Sequence, residues 1–168
     1  MRRRNRKRKP TLHPKSMTWN KAFDAALRLL KSRDRSEKEL RDRLRRKGFE
    51  APDIVGAVER CLELGYLDDG RFARCRARQL LASGRAVGAR LRHELQMAGI
   101  AEELAEQTLA ELNKDFNEEA LLAELLQRRY AYFDYQQADD REKRRVVNYF
   151  LRRGFTMAVI MNQLKKRG

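Results

Sequence analysis

Apolar residues recur along this chain at the i, i+4 spacing of a single helix face, and three times the pattern stops on a glycine with a bulky apolar residue behind it. The three stretches are LRDRLRRKGF at 40–49, LRHELQMAGI at 91–100 and VVNYFLRRGF at 146–155. Their apolar pairs are Leu40 and Leu44, Leu91 and Leu95, and Val146 and Phe150, ending on Gly48, Gly99 and Gly154. Glycine just past a last turn adopts the left-handed C-cap at little steric cost, so each copy reads as an amphipathic helix with its own stop.

Helices on either side complete each unit. In the first, Thr18 is placed to cap a helix from Trp19 to about Ser32 with Ala22, Phe23, Ala26, Leu27 and Leu30 on its apolar face. Ser36 and Glu39 form a capping box ahead of the helix carrying Leu40 and Leu44. Pro52 opens a third helix expected to bury Ile54, Val58, Cys61 and Leu62 before Gly65. The second unit repeats the order. Asp68 or Asp69 caps a helix bearing Phe72, Leu80 and Leu81; Val87, Leu91 and Leu95 form the middle helix; Leu104, Ala105, Leu109 and Leu112 line the third. In the third unit Asn117 caps a helix with Leu121, Leu122, Leu125 and Leu126, and a looser connection around 134–140 leads to the last two helices. Counted from each glycine, the sixth residue is Ile54, Ala105 or Ile160 and the tenth is Val58, Leu109 or Leu164.

The expected fold class is therefore all-α: three tandem three-helix repeats at 18–66, 67–116 and 117–168, in an elongated, curved array. A unit of about fifty residues has a marginal core alone, which favours packing of neighbouring units side by side.

Charge adds a polyanion to the picture. Charged residues make up 38% of the chain and the formal net charge is +15, of which eight positive charges lie in an acid-free basic disordered arm at 1–17: Arg2, Arg3, Arg4, Arg6, Lys7, Arg8, Lys9 and Lys15. Such an excess favours nucleic acid as a partner, the plain alternative being an arm that only confers solubility. Between residues 101 and 124 the balance reverses, with eight acids against Lys114. A partner that is itself mixed in charge, such as a protein filament on DNA, accommodates that stretch better than bare DNA.

Catalytic chemistry finds no support. There is no phosphate-cradling glycine loop, HExxH or nucleophile elbow, and His13 and His93 have no nucleophile beside them. Cys61 and Cys75 lack metal-ligand or redox spacing, and Cys61 falls on an apolar helix face, as a core thiol in a reducing cytoplasm would. No signal peptide or membrane span is expected. The reading is a non-enzyme with no catalytic residue, cofactor or metal, and a cytoplasmic, monomeric protein.

Binding is better supported. Turning 200° from Leu40 and Leu44 places Asp42 and Arg46 outward, with Arg41 and Arg45 on the flank. The third-unit counterparts of Arg46 and Lys47 are Arg152 and Arg153; in the second unit Met97 and Ala98 take those positions while Arg90 and Arg92 flank the helix. Together with Arg144 these are the candidate binding residues, against the alternative of an ordinary solvated face. Tyr130, Tyr132, Phe133 and Tyr135 lie beside Arg128 and Arg129, a cluster suited to stacking single-stranded bases or to filling a core edge.

The segments RDRSEKELRDRLRRKGF at 33–49, ELGYLDDGRFAR at 63–74 and GRAVGARLRHELQMAGI at 84–100 resemble the RecX regulatory proteins, modulators of the RecA recombinase. The likeness runs from about Trp19 to the C-terminus, carries only the RRGF ending as a distinctive motif after Leu112, and leaves out the basic arm. It implies a regulator that binds the RecA filament on single-stranded DNA and inhibits its growth, ATP hydrolysis, strand exchange and coprotease activity. Recombination and the SOS response would thereby be limited. Double-stranded DNA is a further candidate partner. The alternative is a direct DNA-binding protein, since three-helix units with a glycine turn also resemble helix-turn-helix modules.

Overall fold

The computed structural model describes residues 17–114 and 116–166, and the described residues form nine α-helices and no strand. The expected arm, apart from Met17, lies outside the described residues, as do His13 and Asp115. The helices are α1 (Met17–Ser32), α2 (Glu37–Arg46), α3 (Ala51–Glu63), α4 (Asp69–Ala82), α5 (Gly88–Met97), α6 (Glu102–Asn113), α7 (Glu118–Arg129), α8 (Asp140–Leu151) and α9 (Met157–Lys165). They fall into three successive triplets, and in each the first helix packs on the third: α1 on α3, α4 on α6, α7 on α9.

The glycine stops are Schellman closures. At each, the amide of the apolar residue after the glycine donates back to the carbonyl of the second apolar residue of the pair: Phe49 to Leu44, Ile100 to Leu95 and Phe155 to Phe150, at 3.3, 3.1 and 3.3 Å. The glycine between them adopts φ of +85°, +90° or +97°. Ile100 and Phe155 are buried and Phe49 is half-buried, so the closing residue also carries the chain into the core. The shared register holds throughout: Leu40, Leu44, Leu91, Leu95, Val146 and Phe150 are buried, as are Ile54, Ala105, Ile160, Val58, Leu109 and Leu164.

Helix starts follow the side chains that can satisfy their free amides. Ser36 Oγ accepts from the Glu39 amide at 3.1 Å, Asp68 from Arg71 at 2.9 Å, Asn117 from Ala120 at 2.9 Å, Asp139 from Glu142 at 2.7 Å, and Thr156 from Val159 at 3.3 Å. The cap of α4 is thus Asp68. Asp69 instead accepts from the Glu37 amide at 2.8 Å.

Two expectations fail. Thr18 lies inside the first turn of α1 rather than ahead of it. Leu62 is 41% exposed, because the buried stripe of α3 is centred between Ile54 and Cys61 and takes in Ala57. Leu62 stands about 80° from Ile54 around the axis, at the margin of that stripe.

By compactness the described residues form two units, one taking α1 through Asp34 and Leu40–Leu67, the other Arg35–Glu39 and the described residues from Asp68 onward. In the first, Ala25, Ala26, Leu40, Leu44, Ile54, Val58, Cys61 and Leu67 make the core, and the indole of Trp19 stacks on Phe23 at 5.6 Å. In the second, one continuous core runs from Phe72 to Leu164, so the second and third triplets share their interior. The Val87 amide donates to the Arg153 carbonyl at 2.8 Å across the two triplets, beside Gly154. A Cβ at Gly154 would run into the Val87 carbonyl oxygen and sit 2.8 Å from the Arg90 Cβ, so glycine is required there by contact as well as by φ.

Candidate functional site

Of the candidate residues, Arg45, Arg46, Lys47, Arg152 and Arg153 sit at the C-terminal ends of middle helices, where cations also suit the helix dipole, whereas Arg41, Arg90, Arg92 and Arg144 lie earlier in theirs, and the side chains have different fates. On α2, Arg41 is half-buried while Arg45, Arg46 and Lys47 are exposed. Arg45 pairs with Asp42 at 2.8 Å, a contact open to water and of small energetic weight. Arg46 Nε donates to the Asp42 carbonyl at 3.2 Å, leaving the rest of its guanidinium toward solvent. Next to it, Lys47 extends from the turn.

The third triplet only half repeats this. Arg152 is exposed at the end of α8, but Arg153 turns back onto its own helix. Its guanidinium lies 3.5 Å from the centre of the Tyr149 ring, and Nη1 donates to the Tyr149 carbonyl at 3.1 Å. Arg129 also stands over the same ring, 4.7 Å from its centre. The side-chain hydrogen bond with Tyr130, and then the Tyr149 hydroxyl, hold the Arg129 proton even more firmly than usual.

Arg90 and Arg92 are already engaged. Arg90 pairs with Glu94 at 2.5 Å on α5, and Arg92 pairs with Glu106 of α6. Exposed Arg144 donates through Nε to the Asp140 carbonyl at 3.1 Å. Arg90 does lie beside the turn at Gly154, so the start of α5 and the end of α8 present neighbouring cations.

The acidic stretch is partly answered within the chain. Besides Glu106, Glu124 faces Arg128 at 3.8 Å, and Glu119 accepts from Lys166, Gln163 and Asn162 at 3.1, 3.1 and 3.3 Å. Lys166 holds the Glu119 carboxyl below the usual range, with the two amides assisting. Among the described residues no group of His, Cys, Asp and Glu could hold a metal ion, and no helix is long and apolar enough to cross a membrane.

Two features were not singled out from the sequence as binding residues. Arg71, Arg74 and Arg78 follow one another at i, i+3 and i+7 on α4, all exposed, and Arg74 and Arg78 border a cleft of about 490 Å³ floored by Leu81, Leu112, Phe116 and Leu121. The spacing in DGRFARCRAR was the available signal. The apolar floor, made by three helices, had none. The second feature is on the first unit, where Val55 and Leu62 of α3 and then Leu64 and Tyr66 stand exposed.

Comparison with known proteins matches all three triplets in order. Residues 22–61 match the first three-helix domain of RecX, 68–109 the second and 117–164 the third. The chain belongs to the RecX family. Regulatory protein RecX of Syntrophotalea carbinolica is 50% identical over 139 residues, covering 83% of this chain and 91% of that protein. Regulatory protein RecX of Trichlorobacter lovleyi is 40% identical over 142 residues, covering 84% and 92%. The crystal structure of RecX from Lactobacillus salivarius superposes with a TM-score of 0.65 at 22% identity, over 89% of this chain and 96% of that one, and so shares the fold. The first of these matches begins at residue 22, beyond the eight basic residues that precede residue 17. The relatives are named as regulators, which is how the chain is classed, while no particular arginine is singled out by the likeness.

Proposed function

We propose that this RecX-family chain binds the RecA recombinase filament on single-stranded DNA and restrains it, limiting filament growth, ATP hydrolysis, strand exchange and coprotease activity. It acts as a binding protein in the cytoplasm, as a monomer, without catalysis or cofactor. The observation that carries the reading is the match of all three RecX domains, in order, over nearly the whole described chain. The exposed cations Arg46, Lys47 and Arg152 supply contacts to phosphate or to acidic patches of the filament. Arg41, Arg45, Arg90, Arg92 and Arg144 reinforce the same field, and Arg153 acts chiefly by holding the α8 end in shape.

The test is titration into active RecA on single-stranded DNA, reading ATP hydrolysis. Inhibition at a small fraction of the recombinase concentration is expected. Unchanged hydrolysis at equimolar protein sinks the reading. Duplex binding with sequence preference, in the absence of recombinase, would transfer the function to direct DNA recognition.

A further inference from the structure

The loop between α7 and α8 holds a tyrosine that the packing of the third triplet does not use. Tyr130 closes the cluster inward, edge-on to Phe133, Tyr149 and Phe150 at 6.4, 5.5 and 6.0 Å. Tyr135 takes Lys143 over its ring at 5.2 Å. Tyr132 is fully exposed. The backbone that carries it is nonetheless fixed: the Phe133 amide donates to the Tyr130 carbonyl at 3.1 Å, and Asp134 Oδ1 accepts from the Gln136 amide at 2.8 Å. An aromatic ring held in water on an ordered turn is a surface kept for a partner.

The chemistry around it selects the partner. Tyr132 lines a cleft of about 390 Å³ together with Arg129, Arg145, Gln137 and Glu142. Arg145 has no hydrogen bond or ion pair among the described residues, and Arg129 has no carboxylate partner among them. Asp134 is engaged in capping its own turn. Two guanidiniums not neutralised by carboxylates beside one free aromatic face suit a base with its flanking phosphates. A protein hot spot would be ringed by further apolar surface, whereas beside Tyr130 and Phe133 this cleft is lined by charged, polar or small residues, among them Ala131, Asp134, Gln137 and Glu142.

We infer that this cleft is a nucleobase site for single-stranded nucleic acid: one unpaired base stacks on Tyr132, Arg129 and Arg145 take adjacent phosphates, and Glu142 or Gln137 meets the base edge. It does not depend on the recombinase, so it stands or falls separately from the filament reading.

The experiment measures binding of the full chain to a short oligothymidylate and to an abasic deoxyribose-phosphate chain of equal length. Wild type should prefer the oligothymidylate. Tyr132→Ala should weaken that binding about tenfold and leave the abasic strand unaffected, and Tyr132→Phe should keep the preference. Arg145→Gln should weaken both strands and lower the salt slope by about 0.7. Equal binding of both strands by wild type, or no change on Tyr132→Ala, overturns the proposal. So does a Tyr132→Ala defect seen only on recombinase-coated strands, which would make the ring a protein contact. The exposed position of Tyr132 keeps the fold out of the comparison, and unchanged circular dichroism verifies it.

Discussion

At the residue scale, equal positions in a repeat do not carry equal duties. Arg152 and Arg153 are neighbours in the RRGF ending, yet one faces solvent and the other lies flat on Tyr149. Arg153→Gln should lower unfolding free energy by about 1 kcal/mol by removing the stacking and the hydrogen bond, while Arg152→Gln leaves it unchanged; urea denaturation separates them. The reverse ranking is expected in filament inhibition, where Arg46→Gln with Lys47→Gln should raise the half-inhibitory concentration about tenfold at unchanged stability. The cysteines divide in a similar way. Burial pushes the Cys61 thiol up to about 11, so native alkylation should label exposed Cys75 alone, with Cys61 reacting only after unfolding. Because the raised value favours the neutral folded form, its linked stability is intact below the free thiol range and falls as pH climbs toward 11.

At the element scale, what could be read in advance was what depends on near neighbours in the chain. The i, i+4 pairs, the glycine closures and the caps at Ser36, Asp68 and Asn117 are interactions within a turn or two, and they appear where the sequence puts them. What depended on distant segments was not legible: the exposure of Leu62 and the cleft floored by α4, α6 and α7 follow from packing partners that local pattern does not name. The turn of Arg153 onto Tyr149, four residues back on its own helix, is by contrast a local contact that the repeat alignment with Lys47 hid. Two glycines make the distinction measurable. A Cβ at Gly48 meets nothing within 4 Å, so Gly48→Ala should cost only the left-handed backbone penalty of about 1–2 kcal/mol. At Gly154 the added Cβ meets the Val87 carbonyl, an atom of backbone that cannot swing away, and the cost should exceed about 3 kcal/mol. Hydrogen exchange should then show α5 opening with α8, since both contribute to one core. The Asp68 cap gives a gentler case. The Arg71 amide holds its carboxyl below the usual range, so its contribution is full at neutral pH and fades as pH falls through the lowered value; Asp68→Ala should cost about 1 kcal/mol at pH 7 and progressively less in acid.

At the scale of the whole molecule, charge is divided between the RecX domains and the stretch ahead of them. Eight of the +15 charges fall before residue 17, and the first RecX domain begins at residue 22. Within the described chain, three of the eight acids of the acidic stretch are matched by Arg92, Arg128 and Lys166, so part of the positive charge of the helices is already used internally. Electrostatic attraction to a nucleic-acid backbone should therefore depend on the arm out of proportion to its length, whereas recognition of the filament should depend on the three domains. Deleting residues 1–15 should preserve helical circular dichroism and inhibition of ATP hydrolysis while weakening binding to naked single strand at low salt. For each phosphate that the arm had neutralised, the slope of log affinity on log salt should shrink by about 0.7. An unchanged slope would mean that the arm does not touch the strand. A fall in helicity would mean that it belongs to the fold, and loss of inhibition with helicity intact would move filament recognition itself onto the arm.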